Sequence, residues 1–251
     1  MTVTFADLLL IVISPAIGSF LGVLADRLPR QEDIVRRPSA CRSCGRRLGF
    51  FDLVPILSFV LAQGRCRSCG AAIPPWLIYA EILATGLAVI AVILGQQLAD
   101  TWLTALFLWL LLTLVITDLL WFRLPDALTL PLIATALALS LITGQPPLTD
   151  ALLGALIGSG VFIILRVGYR VIRRREGLGL GDIKLMAGLG AAIGSWNLPA
   201  MLLTASLAAL AVAAAGRLRS RNALRASRPL PFGAALAAAT AMQWVLLQLP
   251  A

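Results

Sequence analysis

The sequence predicts an all-α polytopic membrane protein, with about eight transmembrane helices and a zinc-binding cytoplasmic loop after the first. Three observations carry this. Of 251 residues, 59% are hydrophobic and 13% charged, with a mean hydropathy of +0.92; a soluble domain is about half apolar and about one quarter charged. Several apolar runs reach the roughly 20 residues that cross a bilayer. The basic residues, finally, fall on alternate loops.

The apolar segments cover about 5–25, 76–95, 102–120, 127–144, 151–169, 183–196, 198–216 and 230–249. The first has no basic flank before it, carries Asp7, and is followed by a basic loop without a small-residue cleavage site; it reads as an uncleaved span. Loop 26–75 then holds Arg27, Arg30, Arg36, Arg37, Arg42, Arg46, Arg47, Arg65 and Arg67. Arg123 marks the second basic loop. Arg170, Arg173, Arg174 and Arg175, with Lys184 just beyond, mark the third, and Arg217, Arg219, Arg221, Arg225 and Arg228 the fourth. The loops near Asp100, Gln145 and Trp196 have no Lys or Arg. Arg166 lies near the basic end of its span, where it can snorkel. The positive-inside rule places all basic loops in the cytoplasm and both termini on the other side of the membrane. The sixth segment is short and rich in Gly and Ala from Met186 to Gly194, which suits close helix packing in lipid.

The net charge of +9 is thereby a topology signal with some contact to anionic headgroups. No aromatic-interleaved groove accompanies it, so nucleic acid is not the partner; the lipid bilayer is. The absence of His excludes His-dependent catalysis. No feature of the sequence marks an oligomeric state.

Loop 26–75 contains all four cysteines. Cys41-Arg42-Ser43-Cys44 and Cys66-Arg67-Ser68-Cys69 are each followed by glycine, Gly45 and Gly70. Two such turns have the spacing of a four-thiolate zinc site, and a cytoplasmic loop is a poor place for a disulfide. Four thiolates leave no open position for a catalytic water, so the zinc is structural. Redox-active or free cysteines are the alternative; a membrane thiol oxidoreductase would cycle rather than hold metal.

Acids inside membrane spans are costly and mark function by default. Asp118 lies near the cytoplasmic end of the third span, and Asp182 opens the sixth after Gly177, Gly179 and Gly181. The charge map puts both at one membrane face. Two close carboxyls share a proton, so that one can activate a water while the other polarises a scissile carbonyl. Gly179 and Gly181 let an extended peptide approach. The alternative is proton coupling in a transporter, with the aspartates near the midplane. Asp100, Asp126 and Asp150 each stand at the start of a span and read as helix caps. Lys184 places the dyad or a substrate carboxylate, or else snorkels. Glu81, early in the second span, orients nearby arginines or contacts a substrate amine.

These residues resemble a family. Gly179-Leu180-Gly181-Asp182-Ile183-Lys184-Leu185 is similar to the GxGDxKL signature of type IV prepilin peptidases. Asp118, then Leu124-Pro125-Asp126 and Leu128-Thr129-Leu130-Pro131, resembles the second aspartate motif. Gly18-Ser19-Phe20-Leu21, Arg27-Leu28-Pro29, Arg37-Pro38-Ser39 and the cysteine loop running to Glu81 extend the likeness over nearly the whole chain. The resemblance implies a membrane aspartyl endopeptidase. It cuts the basic leader from type IV prepilins or type II secretion pseudopilins on the cytoplasmic side. It then N-methylates the new N-terminus with S-adenosylmethionine; a peptidase without methyl transfer is the alternative. By match, Asp118 and Asp182 are catalytic, and Cys41, Cys44, Cys66 and Cys69 bind zinc. Residues 1–95 then form the methylation-associated region and 96–251 a six-helix protease domain. The chain departs from the family pattern at Gly22, where many relatives carry Asn, and at Trp76-Leu77, where they carry Arg-Tyr.

Overall fold

A computed structural model describes residues 4–174, 179–219 and 231–249. Gly177 and Leu178 of the glycine-rich motif, and Arg175, Arg221, Arg225 and Arg228 of the basic loops, lie outside the described residues. Those described form helices and turns, with two isolated antiparallel bridges and no strand. They divide into two compact units, Met1–Ala105 and Leu106–Ala251.

The first unit contains α1 (Phe5–Arg27), the short α2 (Leu57–Leu61) and α3 (Trp76–Leu94). Asp7 earns its place in an apolar segment by capping. The Thr4 hydroxyl accepts from the Asp7 amide while the Asp7 carboxylate accepts from the Thr4 amide, satisfying donors that a helix start leaves open. Helices α1 and α3 pack through small residues, with Ser14, Gly18 and Gly22 buried on one side and Ala80, Ala84, Ala88 and Ala91 on the other. Without a hydrophobic force between helices in lipid, such close approach supplies the packing energy.

The second unit contains most of α4 (Leu98–Trp121), then α5 (Asp126–Thr143), α6 (Leu148–Arg173), α7 (Leu180–Arg219) and α8 (Phe232–Gln248). At 1.5 Å per residue the 40-residue α7 would run about 60 Å, twice a hydrocarbon core. It does not run straight. Gly194, at φ 75° and ψ 170°, interrupts it in a conformation open only to glycine. The neighbours along α6 show what the break does. Gly154 abuts Gly190 and Gly194, and one turn on, Gly158 abuts Met186 and Leu198. Partner numbers fall along the first arm and rise along the second, so the two arms are antiparallel. Asp150, at the start of α6, accepts the Ser195 amide at 3.0 Å and the Ser195 hydroxyl, thereby capping the second arm. The cap reading of Asp150 is corrected in this respect: it caps a neighbouring helix, because Pro147 begins its own.

Among the described residues, six helices are long and apolar enough to cross a membrane, and Phe232–Gln248 is a shorter apolar helix. With α7 counted as two arms, eight apolar helical segments follow the eight of the sequence in order. Their outer faces carry Leu156, Ile164, Val171 and Leu210, all well exposed, as lipid-facing residues are. The chain is a multi-pass membrane protein. α4, two thirds buried (67%), is the most enclosed of the spans, and it carries Asp118.

Candidate active site and metal site

Asp118 lies one turn before the end of α4, with 6% of its surface exposed. Its Oδ2 accepts the Ala234 amide at 2.7 Å, in the first turn of α8. The N-cap of α8, Pro231, makes no side-chain cap bond. Asp118 therefore satisfies amides at a helix start that nothing local satisfies, and the helix dipole there favours negative charge. Asp182 sits in the first turn of α7, half-buried, and its Oδ2 accepts the Gly179 amide at 3.1 Å. The two carboxylates lie within electrostatic reach of each other.

Leu124, between α4 and α5, explains how they come together. A Cβ on Gly181 would stand 2.8 Å from the Leu124 Cβ, and a Cβ on Gly233 would stand 3.0 Å from Leu124 Cδ1 and 3.1 Å from Asp118 Oδ2. The first distance is one real Cβ atoms essentially never show and the others are tighter than most, so glycine at both positions lets the starts of α7 and α8 close on the same leucine. Each aspartate is within about a turn of a helix end, not at a helix centre, which disfavours the transporter alternative.

Lys184 does not reach into this pair. Its Nζ lies 2.6 Å from both oxygens of Asp126, tying the first turn of α7 to the first residue of α5. Asp126 is therefore not the cap expected of it: Pro125 occupies the N-cap position and the Asp126 carboxylate is committed to Lys184. Asp100, the third residue of α4, reaches back so that its Oδ2 accepts the Gln96 amide ahead of the helix at 3.0 Å. Glu81 belongs to the first unit, where it is buried and its Oε2 accepts the Ile56 amide at 2.6 Å. Gly233 and Ala234 were not singled out from the sequence, and Leu124 entered only as part of the motif that follows Asp118. Gly233, just after Pro231 at the head of an apolar run, was the only local sign.

The cysteine loop consists of two equivalent turns offset by 25 residues. Gly45 donates to the Cys41 carbonyl at 3.0 Å and Gly70 to the Cys66 carbonyl at 2.9 Å; Cys41 donates to Arg46 and Cys66 to Ala71. Both glycines have φ 71°, the left-handed conformation such turns need. The Ala40–Arg47 and Arg65–Ala72 bridges close the turns, and Arg27 holds the preceding segment by donating to the carbonyls of Asp33, Arg37 and Pro38. All four Sγ atoms lie within 4.8 Å of one another, and Cys41 and Cys69 are 3.8 Å apart. Thiolates at about 2.3 Å from a tetrahedral ion stand about 3.8 Å apart, so the set can hold a metal ion. The amides of Cys44 and Ser43 pull the Cys41 thiol down to about 6, and those of Cys69 and Ser68 lower Cys66. At Cys69 the Ala71 amide pulls downward, but desolvation and the neighbouring thiols prevail and push it up to about 11.

Comparison with known proteins decides the family. Residues 12–94 match the bacterial peptidase A24 N-terminal domain and residues 105–214 the type IV leader peptidase family. The chain is 36% identical to a prepilin leader peptidase/N-methyltransferase of Aeromonas salmonicida, over 95% of this chain and 89% of that protein. The chain belongs to the type IV leader peptidase family. Other relatives of the same name come from Aeromonas hydrophila, 35% identical over 95% of this chain and 89% of the relative, and Dickeya chrysanthemi, 34% identical over 95% and 92%. No solved structure is significantly similar. Within this leader peptidase the carboxylate pair falls in the peptidase match and the cysteine set in the N-terminal match.

Proposed function

We propose that this chain removes the basic leader of type IV prepilins or type II secretion pseudopilins and N-methylates the exposed N-terminus. The observation that carries the peptidase half is the convergence of Asp118 and Asp182 around Leu124, in a chain without His. With one proton between them, one carboxylate draws a proton from a water as it attacks the scissile carbonyl. The other protonates the carbonyl oxygen, and later the leaving amine receives a proton from the pair. No covalent intermediate is needed. The Ala234 amide holds Asp118 in position, the Gly179 amide does so for Asp182, and the Lys184–Asp126 pair keeps the start of α7 in register. Gly179 leaves the backbone beside Asp182 open to an extended peptide, whereas the space at Gly181 is taken by Leu124.

In this reading residues 1–95 serve methylation and 96–251 proteolysis. The four cysteines hold a structural zinc that staples a loop too small to fold alone. The arginine-rich loops lie in the cytoplasm, the termini in the periplasm and the dyad at the inner face of the inner membrane, where a basic leader would remain. S-adenosylmethionine supplies the methyl group, carried on a sulfonium.

Product mass tests the whole reading. Purified enzyme incubated with a prepilin should release the leader, and the mature product should gain the mass of one methyl group only when S-adenosylmethionine is present. An uncut substrate would overturn the peptidase reading. A cut product that never gains that mass would overturn the methyltransferase reading alone.

A further inference from the structure

The methyltransferase reading needs a second ligand site, because the carboxylate pair is taken up by hydrolysis. The first unit holds an open cavity of about 460 Å³ bordered by α1, α2, α3 and the cysteine loop. Ligand sites are commonly about 300–1,000 Å³, so a nucleoside-sized molecule fits. Two features of its lining are costly unless something occupies it, and the backbone behind one of them is strained.

Glu81 is a buried carboxylate in the second turn of α3, with 9% of its surface exposed. The protein gives it the Ile56 amide and the nearby Ser19 hydroxyl, and no cation among the described residues pairs with it. A buried carboxylate without a cation is expensive. Asp26, also on the wall, gives Oδ2 to Arg30 and Arg42 at 2.7 and 2.9 Å, but its Oδ1 is buried with no partner. Such orphaned acceptors are rare in proteins. The backbone at Ile56 is also strained. It lies at φ 61° and ψ −55° within a γ-turn closed by Leu57 donating to Pro55 at 2.5 Å, a conformation rare for any residue and worse for a β-branched one. That turn aims the Ile56 amide at Glu81. Residues held in this way cluster at ligand sites.

We infer that this cavity is the seat of the methyl donor, with the Glu81 carboxylate facing the donor's cationic centre and Asp26 Oδ1 accepting from a donor N–H or O–H. The inference rests on the methyltransferase reading above. A positively charged sulfonium beside a buried carboxylate supplies the missing cation, while the thioether product is neutral and loses that attraction. Ser39 and Ser58 on the wall offer hydroxyls suited to a ribose, and Phe59 and Leu77 offer apolar surface suited to a base. Glu81 is thus a donor-recognition residue whose charge favours donor over product.

Two donor analogues separate charge from shape. Sinefungin carries an ammonium near the position of the sulfonium; S-adenosylhomocysteine is neutral there. Binding of both to purified full-length protein in detergent is measured by calorimetry for wild type, Glu81→Gln and Ser58→Trp, with thermal unfolding as the check on folding. Glu81→Gln should weaken sinefungin about tenfold, as one lost charge contact does, and change S-adenosylhomocysteine little. Ser58→Trp, which fills the cavity from α2, should weaken both. If wild type binds both analogues and methylates, but both variants bind them as wild type does, the location is wrong and the methyltransferase reading survives. If wild type binds neither and never methylates, that reading falls and the inference with it.

Discussion

The cysteine loop is assembled from partners close in sequence, the aspartate site from partners far apart. In the loop, each turn closes between residues four to seven positions apart, and the same bonds recur 25 residues later. At the aspartates, Asp118 is held by an amide 116 positions away, and the element joining the parts is Leu124, which has no polar chemistry at all. A site of the first kind tolerates change elsewhere, since its geometry is written into short turns. A site of the second kind depends on helix packing, and a single methyl group placed between the helices should disturb it.

The largest expected effect is on the aspartates. Asp118→Asn and Asp182→Asn should each lower the rate of leader cleavage by about 100-fold to 10,000-fold, the range for a lost general acid or base, while leaving the inserted fold intact. Prepilin processing by either variant at the normal rate would refute the dyad. Metal removal probes the other region. After chelation, Cys41 at about 6 is largely thiolate at pH 7, whereas Cys69 at about 11 is largely thiol. Reactivity follows the thiolate, partly offset by its lower nucleophilicity. Cys41 should alkylate about 100-fold faster than Cys69 at pH 7. The advantage shrinks as pH rises further, because Cys41 is already ionised while the Cys69 thiolate keeps growing. Equal rates, read by peptide mass mapping, would show that the loop amides do not organise the thiols.

Two glycine substitutions set the regions directly against each other. Gly181→Ala places a Cβ against Leu124 at 2.8 Å and should cost about tenfold or more in cleavage, as small misplacements of a catalytic group do. Gly45→Ala meets no atom within 4 Å. Its cost is the left-handed backbone alone, about 1 kcal/mol, visible as a small drop in thermal stability with cleavage unchanged. Equal losses of cleavage from the two would erase the distinction. The smallest effect belongs to Lys184→Met. The Lys184–Asp126 pair is 39% and 59% exposed, so its loss should cost less than about 1 kcal/mol in thermal stability.

Much of this was legible in the chain itself. Apolar run lengths and the alternation of arginine-rich with arginine-free loops predict eight helical segments, because lipid allows few ways to satisfy a backbone. The paired CxxC-Gly turns predict a four-thiolate cluster, because both geometry and ligands are local. Acids in apolar segments pick out Asp118 and Asp182, because burial there demands a reason. Asp126 and Asp150 were misread for the complementary reason. Sequence position shows that an acid begins a helix but not which neighbouring group packs against it.

What the sequence by itself determined is the membrane class, the helix order and the chemistry available at each candidate site. Only the tertiary structure decided that α7 folds back at Gly194 and that Leu124 gathers Gly181 and Gly233. It alone decided that Asp118 caps α8 and that Glu81 and Asp26 wall a cavity. Hydropathy and local turns act along the chain and can be read from it. The close approach of helices depends on which small residues face each other across space, and that is settled only when the helices pack.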